Sequence, residues 1–225
     1  MIAPDSDACL VVPVYNEGPV VADVLREALT VFPTIVAVDD GSTDDSAAQV
    51  ATTDALLVRH PVNLGQGAAL QTGIETALLL PHVKYFVTFD SDGQHDAADA
   101  AAMVARLRND EADVVLGSRF LDGRTKPGLI KRIVLRGAVW LTNAQSGVKL
   151  TDAHNGLRAM NRAAASHLRL RQNGMAHASE IIEQLGRSGL RWAEHPVHIR
   201  YTEYSVAKGQ SVLNAVNILT DLIYK

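Results

Sequence analysis

The chain has 225 residues, 47% of them apolar and 20% charged, with a net charge of −4 and a single cysteine, which fits one α/β domain with a full core. No window approaches the ~18 uncharged apolar residues of a membrane span, and the opening Met1-Ile2-Ala3-Pro4-Asp5-Ser6-Asp7 lacks the basic start and apolar block of a secretory leader. Cys9 has no partner for an internal disulfide, so a cytoplasmic location is expected, and aromatics at 5% without basic interleaving speak against nucleic acid.

In chain order, residues 8–14 form a continuous apolar run, the pattern of a buried parallel strand, and pass into the polar Tyr15-Asn16-Glu17-Gly18. Val20, Val21, Val24, Leu25, Ala28, Leu29 and Phe32 keep one helical face, closed by Pro33. Residues 35–38 are a second strand ending in Asp39-Asp40-Gly41-Ser42, and residues 55–58 a third leading to Gly65-Gln66-Gly67 and a helix to about 80. A dinucleotide fingerprint would need its third glycine at Leu70, so the two glycines read either as a packing turn or as an approach to a phosphate or ribose.

The most telling run is Tyr85-Phe86-Val87-Thr88-Phe89-Asp90-Ser91-Asp92-Gly93-Gln94-His95. A buried strand ends abruptly in two carboxylates one residue apart, which repel unless a cation lies between them. Asp90, Asp92 and the amide of Gln94 are hard oxygen ligands suited to Mg²⁺ or Mn²⁺. The plainer reading is an acidic turn leading to an N-cap at Asp96. A helix over 97–108 and a strand over 114–116 follow, and then the chain turns basic. Residues 1–118 carry 5 Lys/Arg against 18 Asp/Glu, and residues 119–225 carry 16 against 7. An acidic half and a basic half imply a cation-bound ligand early and an anionic one late.

Residues 129–141 read as a helix with Arg132 and Arg136 on one side, which fits either a membrane interface or a core-facing helix with a solvated stripe. Residues 151–160 are a polar loop entering a strand, 176–187 a helix, and 192–199 a last strand. His177 and Glu180, without a second histidine at helical spacing, are polar groups lining or capping the site. A loop over 200–210 carries Arg200 and Lys208, and 212–224 is an amphipathic helix. Alternating strands and helices imply a mostly parallel sheet covered on both faces, whose carboxyl edge should gather Tyr15–Glu17, Asp39–Asp40 and Asp90–Asp92 into one crevice.

These motifs, from Val11-Val12-Pro13-Val14-Tyr15-Asn16-Glu17 through Val38-Asp39-Asp40-Gly41-Ser42-Thr43-Asp44, the Asp90–His95 run and Gly117-Ser118-Arg119-Phe120 to Arg200 and Lys208, resemble the family 2 glycosyltransferases of the GT-A fold. Within these they are similar to the dolichyl- and polyprenyl-phosphate sugar synthases. The resemblance implies a single Rossmann-like α/β domain over 1–225, with a nucleotide-sugar and metal half at 1–118 and a basic acceptor half at 119–225. It implies that Pro13, Tyr15, Asn16, Glu17, Val38 and Asp40 hold base and ribose, and that Asp90, Ser91 and Asp92 grip the sugar nucleotide. Asp90, Asp92 and Gln94 would meet Mg²⁺ or Mn²⁺. Arg119, with Arg132 and Arg136, would meet the acceptor phosphate, and Arg200 with Lys208 would close over the donor diphosphate. Asp92 and Arg119 are the implied catalytic pair.

Some relatives append membrane helices that this sequence lacks. Its expected place is therefore peripheral at the inner face of the membrane, reached by an interfacial helix, a homodimer or a small membrane-protein partner. The competing readings are transfer to a saccharide hydroxyl with Asp152 as base, a non-catalytic nucleotide-sugar-binding subunit, and a nucleotidyltransferase, which would want a glycine-rich, arginine-containing loop after the first strand.

Overall fold

The structure, a computed structural model, describes residues 6–122, 137, 139, 143, 147–152, 155–174, 176–200 and 204. Arg132, Arg136, Lys208, the expected helix at 212–224 and, apart from residues 137 and 139, the expected helix at 129–141 lie outside these. The elements run β1 (Ala8–Val14), α1 (Val21–Leu29), β2 (Thr34–Asp39), α2 (Ser46–Val50), β3 (Leu56–Arg59), α3 (Gln66–Leu78), β4 (Tyr85–Thr88), α4 (Ala97–Arg108), β5 (Val114–Ser118), β6 (Arg158–Asn161), α5 (Arg162–His167), α6 (His177–Ser188) and β7 (Trp192–Pro196).

Seven strands form one sheet in the order β3-β2-β1-β4-β6-β5-β7. All pairings are parallel except those of β6, which is antiparallel to both β4 and β5. Every residue of β1 is buried, as its unbroken apolar run requires at the centre of a sheet covered on both faces. Leu10, Val12, Leu25, Phe32, Met103 and Val104 pack on one face of the sheet, and Val11, Val38, Leu70, Ile74, Phe86 and Ile182 on the other. The fold is thus a single three-layer α/β domain.

The expected helices over 97–108 and 176–187 are present, and Asp96 caps α4 by accepting from Ala98 N at 2.8 Å. The short α2 and α5 were not expected, since five or six residues barely show a 3.6-residue period. The last strand stops at Pro196 rather than 199, because the His198 N–H leaves the ladder for Asp99 Oδ2 at 2.6 Å. Within Gly65-Gln66-Gly67, the last glycine serves packing. A Cβ on Gly67 would lie 2.0 Å from Gln172 O, and its N–H is already donated to Asn173 O at 2.7 Å.

Candidate active site

The carboxyl ends of β2, β1 and β4 and the amino end of β6 border a cleft of about 520 Å³. Three adjacent strands deliver their polar ends to it, tied by Asp40 N to Val14 O at 2.8 Å, Phe89 N to Val11 O at 3.0 Å and Ser91 Oγ to Pro13 O at 2.8 Å. Pro13, Tyr15, Glu17, Asp40, Asp90, Ser91, Asp92, Gln94 and Arg119 all line it. The single-crevice expectation therefore holds for Tyr15, Glu17, Asp40 and Asp90–Asp92 but not for Asp39, which is fully buried with its Oδ2 accepting from Arg59 Nε at 3.0 Å. The position at the carboxyl edge is the one open α/β sheets use for ligands.

Asp90 and Asp92 differ in their surroundings. Burial alone would raise the Asp90 carboxyl, but the charge and hydrogen bond of His95, with Arg158 and His177 behind it, hold it below its ordinary value. Its Oδ2 meets His95 Nε2 at 2.9 Å and its Oδ1 accepts from Gln66 Nε2 at 3.1 Å. Asp92 is pushed up to about 6 by burial and by the Asp90 charge. Asp92 is thus short of positive charge, and a divalent ion would relieve it. Among the described residues no three His, Cys, Asp or Glu side chains form a metal cluster. Two carboxylates and the Gln94 amide instead suit an ion that takes its remaining ligands from phosphate and water, as Mg²⁺ does.

Asp40 is 2% exposed and its carboxylate holds a loop. Oδ1 accepts from Leu64 N at 2.9 Å and meets His60 Nδ1 at 2.7 Å, while Oδ2 accepts from Gly65 N at 2.7 Å. That loop supplies Asn63, Gly65 and Gln66 to the cleft wall. The cleft is also lined by Arg119, whose Nε donates to Asp152 Oδ2 at 2.6 Å and whose backbone N–H donates to the same oxygen at 3.2 Å. Asp152 is in turn fixed by Glu194, whose Oε1 accepts from Thr151 N, Thr151 Oγ1 and Asp152 N at 2.8, 2.8 and 3.2 Å.

The profile of glycosyl transferase family 2 matches residues 9–169, most of the chain and most of the residues lining this cleft. The chain belongs to family 2 of the glycosyltransferases. It is 29% identical to the UDP-N-acetylglucosamine–dolichyl-phosphate N-acetylglucosaminyltransferase of Methanococcus voltae, over 95% of this chain and 94% of that protein. It is 36% identical to the dodecaprenyl-phosphate galacturonate synthase of Rhizobium johnstonii, over 64% of this chain and 44% of that protein. In three dimensions it resembles the crystal structure of glucosyl-3-phosphoglycerate synthase from Mycobacterium tuberculosis in complex with Mn²⁺, UDP and phosphoglyceric acid. The TM-score is 0.69 at 18% identity, covering 97% of this chain and 78% of that one. That likeness supports the GT-A fold.

Not every residue expected in the glycosyltransferase site reaches the cleft. Val38 is fully buried, packed in the core against Val11 and Val36. Asn16 organises the neighbouring loop, its N–H donating to Ser42 Oγ at 3.0 Å and its Oδ1 accepting from Thr43 N at 2.9 Å. Arg200 is held away by Glu27 at 2.9 Å and Asp96 at 2.6 Å, although its backbone N–H donates to Gln94 O at 2.9 Å.

Conversely, Asn155, Gly156, Arg158 and His95 line the cleft without having been singled out from the sequence, alongside the expected His177. The available signal was Arg158 itself, a charge inside the strand run Leu157-Arg158-Ala159-Met160.

Proposed function

We propose that this glycosyltransferase moves a hexosyl group, with inversion, from a UDP- or GDP-linked donor to a polyprenyl or dolichyl phosphate at the cytoplasmic face of the membrane. The observation that carries the reading is Arg119, a cleft-lining guanidinium whose Nε is fixed by an Asp152 side chain only 1% exposed. An oriented guanidinium opposite a carboxylate pair suits an anionic nucleophile approaching a metal-bound leaving group. The names of the archaeal and bacterial relatives support the same acceptor class.

In this reading residues 1–118 hold the donor, with Pro13, Tyr15 and Glu17 framing the nucleoside and the loop anchored by Asp40 walling it in. Asp90 and Asp92, with Gln94, would hold Mg²⁺ or Mn²⁺, which when bound supplies positive charge to the departing diphosphate. Residues 119–225 hold the acceptor: Arg119 turns a phosphate oxygen toward the anomeric carbon, and Arg132 and Arg136 add positive charge for the same group. The new C–O bond forms as the bond to the β-phosphate oxygen breaks, and the electron pair leaves on the nucleoside diphosphate. A phosphate monoester is already ionised near neutral pH, so no base is needed. Arg200, once released from Glu27 and Asp96, would join Lys208 on the diphosphate.

Among the described residues no helix is long and apolar enough to cross a membrane. Peripheral contact, by the basic block after Arg119, by a dimer or by a small membrane-protein partner, is the matching mode of access.

Transfer to a saccharide hydroxyl would need a free carboxylate base. Asp152 does not line the cleft and is committed to Arg119. The deciding experiment is mass spectrometry of lipid products after incubation with Mn²⁺, polyprenyl phosphate and a panel of UDP- and GDP-sugars. A lipid phosphate heavier by one sugar is expected. Transfer confined to soluble saccharides would overturn the acceptor assignment.

A further inference from the structure

Below Asp90, where β6 enters the sheet, a group of polar atoms lacks partners. Arg158 is paired in register with Thr88 and Leu116, is 2% exposed and lines the cleft. Both of its terminal nitrogens are buried without a hydrogen-bond partner among the described residues, and so is Asn155 Nδ2. The Asn155 carbonyl is used, accepting from Leu157 N at 2.9 Å. Buried donors left unmatched are costly and rare in folded proteins. Here three of them gather at the floor of a substrate cleft.

The floor also offers an acceptor. His177 donates Nδ1–H to Gly174 O at 2.8 Å, which leaves the Nε2 lone pair of a cleft-lining ring without a partner among the described residues. Burial, then the Arg158 charge, pushes this imidazole down to about 4, so the ring is neutral at physiological pH. We propose that Arg158, Asn155 and His177 form the subsite that grips hydroxyl groups of the transferred sugar and discriminates among donor sugars.

The proposal rests on the nucleotide-sugar reading of the cleft and adds the chemistry of its sugar end. A hydroxyl both accepts and donates, so adjacent hydroxyls can take the guanidinium and amide protons and give one to Nε2. A carboxylate could take the former but has no proton for the latter. The Arg158 charge is already opposed by Asp90 and Asp152, the two groups that counter the lowering of its pKa by burial to about 10. A neutral polyol therefore completes the site better than a uronate. The subsite also abuts the carboxylate pair, since a Cβ on Gly156 would lie 2.4 Å from Asp90 Oδ2.

The test is calorimetric binding, in Mn²⁺, of UDP, GDP and a panel of their hexose conjugates including UDP-glucuronate, to the full chain and to His177→Phe, Asn155→Ala and Arg158→Gln. For the neutral sugar nucleotide that wild type binds best, His177→Phe and Arg158→Gln should each weaken affinity at least 10-fold, with bare nucleotide within about 2-fold. One deoxy analogue of that donor should bind wild type weakly and lose nothing further in His177→Phe. Equal losses for nucleotide and nucleotide sugar, no loss in any variant, or a wild-type preference for UDP-glucuronate would each overturn the proposal. Should Arg158→Gln fail to fold, the His177 and Asn155 variants decide it. Failure of wild type to bind any nucleotide would instead overturn the donor reading, whereas intact nucleotide binding with indifferent variants overturns the subsite alone.

Discussion

On the β3-β2-β1-β4 side of the sheet the strands are parallel and the three inner ones, β2, β1 and β4, lead into carboxylates, whereas on the β6-β5-β7 side an antiparallel strand brings a guanidinium to the same edge. On the acidic side it is Asp92 that is short of counter-charge, pushed up to about 6 by burial and its Asp90 neighbour. On the basic side Arg119 is secured by a buried acid and Arg158 is buried outright. The two sides thus differ in what they lack, a cation on one and hydrogen-bond acceptors on the other. In the proposed function a metal–diphosphate–sugar donor would span both needs, which fits a cleft lying on their seam.

The largest effect should come from removing charge on the acidic side. Asp92→Asn is expected to cut turnover roughly 100- to 1000-fold, about 2.7–4 kcal/mol of transition-state stabilisation. Thermal stability should hold or rise, because a repulsion goes with it. Steady-state kinetics and a melting curve check both, and full activity of wild type in excess EDTA would remove the cation from the account.

On the basic side, Arg119→Ala should lower acceptor kcat/KM roughly 100-fold, about 2.7 kcal/mol, with donor binding nearly unchanged. Arg119→Lys should rescue poorly, since the planar fork is lost. Asp152→Asn keeps an acceptor for the Arg119 Nε–H but drops the charge, so an intermediate loss centred on acceptor KM is expected. An inactive Asp152→Asn beside an Arg119→Ala that glycosylates a soluble saccharide would reverse the assignment and make Asp152 the base.

A third substitution probes the seam itself. A methyl on Gly156 would press on Asp90 Oδ2 at 2.4 Å, and overpacking of this kind is relieved by moving the softer partner. Gly156→Ala should therefore raise the Mn²⁺ concentration for half-maximal activity roughly 10-fold, on the scale of the ~1–3 kcal/mol that overpacking costs. An unchanged Mn²⁺ requirement would show that the two sides are not mechanically linked.

The acidic side was largely legible in the sequence, because β1, β2 and β4 are apolar runs that lead into acid and the crossover rule brings such ends to one edge. The role proposed for Arg119 came from resemblance, since no spacing rule links it to Asp152, 33 residues away. Arg158 was overlooked because a strand of four residues is too short for alternation to expose a misplaced charge. Val38 and Asn16 show the limit of position-by-position transfer: both sit in site motifs, yet one side chain belongs to the core and the other to loop geometry.

Asp40 gives the finest test of that limit, because its motif suggests a donor ligand while its contacts describe a loop anchor. Its carboxylate already serves Leu64 N, Gly65 N and His60 Nδ1. Asp40→Asn would turn an amide N–H toward one of these donors and leave a buried N–H unmatched, a cost of about 1–3 kcal/mol. For a chain of this size that is a fall in Tm of roughly 2–12 °C. Donor KM should rise several-fold through the displaced 62–65 wall, while kcat stays close to wild type, because the reacting groups that follow β4 and β5 are untouched. A direct ligand would behave differently, losing nucleotide affinity at an unchanged Tm. Melting curves and UDP titration of the same preparation separate the two, and a stable variant that no longer binds UDP would return Asp40 to the donor.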